Sequence, residues 1–126
     1  MEISSSAENY LKAIYALRSE IGKVRSIDVV RKLNFSKPSV SVAMKRLREQ
    51  GLVAVDERGY ISLLPPGEEV AARIYERHRV ITDFLVHLGV EPKQAEEDAC
   101  KMEHDFSEES FSKILAFFKE YLGQNG

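Results

Sequence analysis

One change of apolar period, between Ser36 and Leu64, constrains this chain more than any other feature. Val40, Ala43, Met44 and Leu47 stand at i, i+3, i+4 and i+7, the stripe of an amphipathic helix. Ser36 precedes that helix as its cap, Pro38 sits in the first turn where a missing N–H costs nothing, and Gly51 closes it. The period then drops to two. Leu52, Val53 and Val55, a polar Asp56-Glu57-Arg58-Gly59 tip, and Tyr60, Ile61, Leu63 and Leu64 read as a β-hairpin, with Gly59 supplying a positive φ.

Upstream, Ser6 precedes a segment from residue 7 to about 19 in which Tyr10, Ile14 and Leu17, with Leu11 beside them, predict a first helix. Gly22 interrupts it. Ser26 then caps a short helix through Ile27, Val29, Val30 and Leu33 that ends at Asn34-Phe35. Helix, turn, capped helix and hairpin is the order of a winged helix-turn-helix, whose second helix enters the DNA major groove. Downstream of Pro65-Pro66-Gly67 the chain is helical: Val70, Ile74, His78, Ile81 and Leu85 share one face up to Gly89. A helix from Glu91-Pro92 runs to about His104, and Ser107 caps a last one striped by Phe111, Ile114, Leu115, Phe118 and Leu122. The fold class is therefore mainly α. Residues 1–66 form an N-terminal winged helix-turn-helix, three helices plus a β-hairpin wing, and residues 67–126 an all-α domain.

The formal net charge of −2 argues against an obviously basic nucleic-acid binder, but it hides a division. Through Pro66 there are 11 basic and 7 acidic residues, net +4; from Gly67 onward there are 7 and 13, net −6. The first part is suited to phosphates and the second to cations. A lone cysteine, Cys100, gains nothing from an oxidising compartment, no apolar run reaches the roughly 20 residues that span a bilayer, and the Met-Glu-Ile-Ser-Ser-Ser start is unlike a signal peptide. A cytoplasmic protein without a membrane partner is expected.

On the second helix of the pair, the face opposite the stripe presents Ser39, Ser41, Val42, Lys45, Arg46 and Arg48, hydroxyls for base edges and cations for phosphates. The amides behind the Ser36 cap suit a phosphate, and Arg58 at the hairpin tip is placed to touch backbone or minor groove. Double-stranded DNA is the expected partner.

Cys100, Glu103 and His104 lie at i, i+3 and i+4, so a helix puts a thiolate, a carboxylate and an imidazole on one face. His78 converges on them if the two helices pack antiparallel, as the short Gly89 to Pro92 link encourages. Glu96 and Glu97 read as solvated acids and His87 as structural. Mixed S, O and N donors suit a borderline divalent transition metal, Fe²⁺, Mn²⁺, Co²⁺, Ni²⁺ or Zn²⁺. No zincin, nucleophile or phosphate-loop motif is present, so an enzyme is not expected.

Together these segments resemble the metal-dependent repressors of the diphtheria toxin repressor and manganese transport regulator family. The likeness rests on Glu8-Asn9-Tyr10-Leu11-Lys12-Ala13-Ile14-Tyr15, the recognition segment Ser36-Lys37-Pro38-Ser39-Val40-Ser41, Gly51-Leu52-Val53, Arg77-His78-Arg79 and the Cys-x-x-Glu-His run. It implies a homodimer built from the C-terminal helices, palindromic operators that control metal-uptake genes, and Fe²⁺ or Mn²⁺ as effector. By the same resemblance Cys100, Glu103 and His104 match the primary metal ligands, His78 a ligand of the neighbouring site, and Asn9 the first-helix ligand position.

Several residues depart from the family pattern. Lys12 stands where manganese-type members carry a Glu ligand, and an ammonium cannot coordinate; Cys100, in contrast, looks like the iron-type members. Thr82 and Glu96 stand where the iron-type ancillary site has Glu and His, which leaves that site weak or absent. The chain also ends before the SH3-like third domain of iron-type members. The alternative expectation is a metal-independent dimeric DNA-binding regulator, in which the Lys12 ammonium substitutes for the cation and pairs with Glu103. A small metalloenzyme or metal-buffering protein without a DNA footprint is the third.

Overall fold

The computed structural model describes residues Ile3 to Asn125, with side chains described through Tyr121. The described chain divides into two compact units, residues up to Tyr75 and residues from Glu76.

The first unit holds α1 (Ser5–Ile21), α2 (Ser26–Leu33), α3 (Lys37–Glu49), β1 (Val53–Val55), β2 (Ile61–Leu63) and the opening turns of α4 (Pro65–His87). It is the expected winged helix-turn-helix. Helix α1 begins earlier than the Ser6 cap implied, because the Ser4 hydroxyl accepts the Ala7 N–H at 3.1 Å and draws Ser5 and Ser6 into the first turn. Ser26 likewise lies inside α2: the Asp28 carboxylate reaches back to the Arg25 N–H at 2.9 Å, so the cap is Arg25. The strands pair antiparallel with Val53 opposite Leu63, Ala54 opposite Ser62 and Val55 opposite Ile61. Gly59 does take the positive φ, +84°, that the tip requires.

The alternation of β1 and β2 turns Val53 and Ile61 into a core with Leu11 and Ile14 of α1, Val29 of α2, and Val40, Met44 and Leu47 of α3. Val70, Ala71 and Ile74 of α4 belong to the same core. The boundary expected at Pro66 and the compact division at Tyr75 thus differ by the stretch of α4 that carries those three residues. Gly67 is also fixed by packing, since a Cβ there would run into the Leu52 carbonyl.

The second unit comprises the rest of α4, α5 (Pro92–Met102) and α6 (Glu108–Asn125). Ser107 caps α6 as expected, accepting the Ser110 N–H at 3.0 Å. The core is small: Ile81, Ala99 and Phe111, with Val80, Leu85, Phe106 and Leu115 packed against it. Leu122, expected in the last stripe, lies outside the described side chains. Helix α5 stops at Met102, two residues short of His104; Glu103 is its C-cap, keeps an αR conformation (φ −61°, ψ −22°) and donates its N–H to Ala99. No described helix is long and apolar enough to cross a membrane.

Candidate nucleic-acid interface and metal centre

Helix α3 presents the surface its sequence implied. The Ser36 hydroxyl accepts the Ser39 N–H at 3.2 Å and donates to the Ser39 hydroxyl at 2.8 Å, fixing the first turn. Val40, Met44 and Leu47 are buried, which leaves Ser36, Lys37, Pro38, Ser39, Ser41, Val42, Lys45, Arg46 and Arg48 all exposed. Val42 is a large apolar side chain 53% exposed between hydroxyls and cations. It stands outside the core.

The wing is ordered by one side chain. The Asp56 carboxylate accepts the N–H groups of both Arg58 and Tyr60 at 2.9 Å, holding the tip and its exposed Arg58 in a defined turn. Ile61 also donates its N–H to the Val24 carbonyl at 2.7 Å, so the α1–α2 connection adds a short third edge to the sheet. Val24 and Ile61 point into the core, which turns Lys23, Arg25 and Tyr60 outward. The Arg25 guanidinium lies 4.4 Å, and the Lys23 ammonium 5.1 Å, from the Tyr60 ring centroid. This basic, aromatic face escaped the sequence reading. Its signal is the Lys23-Val24-Arg25 alternation, too short to register as a strand.

In the second unit the candidate ligands gather on Glu103, a carboxylate with no exposed surface. Such a charge is costly to bury without partners. His78 on α4 brings Nδ1 to 2.8 Å from one carboxylate oxygen, and His104, in the turn after α5, brings Nε2 to 3.5 Å from the other. Cys100 is half-buried on α5, one turn before Glu103. Asn9 and Lys12 are half-buried on α1 of the first unit. Among the described residues no three His, Cys, Asp or Glu side chains are already arranged to hold a metal ion. Instead the donors are closed on one another by His–Glu contacts.

The donor chemistry fits a borderline divalent cation, with two imidazole nitrogens, a buried carboxylate and a thiol available. Thr82, one turn beyond His78, has a buried hydroxyl oxygen with no hydrogen-bond partner among the described residues.

Residues 2–60 match the family model of the iron dependent repressor N-terminal DNA binding domain, and residues 65–121 that of the iron dependent repressor metal binding and dimerisation domain. The chain belongs to the iron-dependent repressor family. The transcriptional regulator MntR of Salmonella typhimurium is 35% identical over 114 residues, covering 90% of this chain and 73% of the relative. Among solved structures, T. acidophilum IdeR has a TM-score of 0.78 at 28% identity, and the manganese regulator SloR a TM-score of 0.75 at 29%. Each comparison covers 98% of this chain and 55% of the other, so the chain spans about half the length of these solved relatives. This is a family of metal-dependent transcriptional repressors, and these relatives are named as regulators, not as enzymes.

Within the family frame Arg77 is the residue that sequence reasoning passed over. It was noted only as a neighbour of His78, yet it is 4% exposed and donates to the Glu103 and Phe106 carbonyls. The signal was there: position 77 lies three residues after Ile74 and four before Ile81, on the buried face of α4.

Proposed function

We propose that this chain is a homodimeric, metal-activated repressor of the cytoplasm that reads palindromic operators of metal-uptake genes, with Fe²⁺ or Mn²⁺ as effector. The observation that carries this reading is the fully buried Glu103 carboxylate between the imidazoles of His78 and His104. A carboxylate in that setting is a ready cation ligand. Cys100, Glu103, His104 and His78 of the second unit would hold the ion. The ion would supply the positive charge that the buried Glu103 carboxylate calls for.

The exposed face of α3 takes the operator, with Ser39, Ser41 and Val42 toward base edges and Lys45, Arg46 and Arg58 toward phosphates. Ser36, Lys37 and Pro38 bring the α3 N-terminus to the backbone. The dimer reading is supported by Phe84, Ile114 and Phe117, exposed around an apolar cleft of about 330 Å³ on the second unit. Moving a two-state equilibrium from 1:99 to 99:1 needs about 5.5 kcal/mol of differential binding, which one well-formed transition-metal site can supply. The test is a DNA mobility shift with and without Fe²⁺, Mn²⁺, Co²⁺ or Zn²⁺, for wild type and His104→Ala. Metal-dependent retardation lost in His104→Ala is expected; equal DNA affinity in chelator and in metal removes the switch.

A second reading starts from Lys12, an ammonium on α1 where the family resemblance implies a metal ligand. In it the Lys12 ammonium takes the role of the cation and DNA binding is metal-independent. Metal dependence that appears in Lys12→Glu and is absent from wild type decides for it.

A further inference from the structure

Arg77 and His78 are adjacent on α4, and they grip the two ends of the same residue. His78 meets the Glu103 carboxylate, while Arg77 Nη1 donates to the Glu103 backbone carbonyl at 3.1 Å and to the Phe106 carbonyl at 2.9 Å. Arg77 Nη2 donates to the Glu108 carboxylate at 2.6 Å, and the guanidinium lies 5.0 Å from the Phe111 ring centroid. One buried cation therefore joins the end of α5, the 103–106 turn and the first turn of α6.

The physical reason is the helix end. The last carbonyls of α5 lack partners within their own helix, and a cation there meets both those lone pairs and the negative end of the helix dipole. A guanidinium supplies several donors in one fixed plane, which a lysine ammonium on a flexible stem does not. The turn that Arg77 holds carries Glu103 and His104, the donors of the proposed metal centre.

We propose that Arg77 is the positioning residue of that centre. It fixes the 103–106 turn before any ion arrives, so that binding does not have to order the turn, and it ties the donors to the N-terminus of α6. This rests on the metal reading above. A latch of this kind contributes to affinity without touching the ion, and loss of such supporting hydrogen bonds typically weakens metal binding by roughly 10–100-fold.

Co²⁺ titration, followed by the visible ligand-field and thiolate charge-transfer bands, tests the proposal in wild type, Arg77→Met, Arg77→Lys, Glu108→Gln and a control, Ile81→Val. Circular dichroism first establishes that each variant is folded without metal. Arg77→Met is expected to bind Co²⁺ roughly 10–100-fold more weakly with shifted ligand-field bands, and Arg77→Lys to recover part of both. Ile81→Val lowers the melting temperature and leaves the affinity and the bands as in wild type, which separates positioning from general stability. Should Arg77→Met fail to fold, Glu108→Gln decides, because it removes the negative charge at the exposed end of the latch while keeping its shape; a several-fold loss of affinity supports the proposal and no change overturns it. Wild-type affinity and bands in a folded Arg77→Met overturn it while leaving the metal centre standing. No Co²⁺ binding by wild type overturns the metal reading and this proposal together.

Discussion

The two units bury their apolar residues differently. In the first, Leu11, Ile14, Val29, Val40, Leu47 and Leu52 are at most 1% exposed, and helices, hairpin and the opening of α4 share one core. In the second, the core among the described residues centres on Ile81, Ala99 and Phe111, while Phe117 is 67% exposed. Tyr121 lies parallel to Phe117 with centroids 6.4 Å apart, itself exposed. A reading head with a full core is stable on its own terms. A helical trio with a stripped core and an apolar outer face draws stability from whatever covers that face.

Leu47→Ala should have the largest effect, about 3 kcal/mol of lost unfolding free energy, because Leu47 is 1% exposed in the core that α1, α2, α3 and the wing strands share; urea denaturation measures it at any protein concentration. Phe117→Ala should behave in the opposite manner, leaving the first unit's stability unchanged and weakening self-association by about 2 kcal/mol, read by light scattering across a dilution series. Equal association of wild type and Phe117→Ala would break the comparison. Gly67→Ala should destabilise the first unit by about 1.5 kcal/mol, since α4 must move off the Leu52 carbonyl; a melt no different from wild type contradicts that close approach.

The smallest effect concerns the bidentate pair of Arg18 with Glu68, at 2.5 and 2.6 Å. The Arg18 hydrogen bonds hold the Glu68 carboxyl below its ordinary value. A carboxylate lowered in the folded state adds stability above its unfolded pKa and loses it as pH falls through the folded value. Both side chains are well exposed, so solvent screens the pair and Glu68→Gln should cost only about 0.5 kcal/mol at neutral pH. The difference from wild type should shrink in melts as pH drops below the carboxylate range; a constant difference down to strong acid denies the pair its role.

What was legible in the sequence was local. The stripe of α3, the Ser36 and Ser107 caps and the Gly59 turn follow from contacts within a few residues. The family likeness then added the fold and the repressor class. What escaped was made at a distance: Arg77 needs the turn 26 residues later to find its acceptors, as the Glu103 carbonyl shows. Gly67 looks like punctuation until Leu52 is packed against it, and Lys23 and Arg25 become one face only when Val24 joins Ile61. The Cys-x-x-Glu-His spacing placed Glu103 and His104 on one helix face, whereas the helix ends at Met102 and His104 approaches from the turn.

The bond from Ile61 to Val24 has a kinetic meaning as well. A wing tied by a backbone hydrogen bond to the connection before α2, and folded at its tip around Asp56, has little conformational freedom left to surrender. Ordering free backbone costs about 1–2 kcal/mol per residue, and a wing that meets DNA already ordered avoids most of that cost. Its amides, Ile61 foremost, should exchange with solvent deuterium at the slow pace of the core, whether or not an operator is bound.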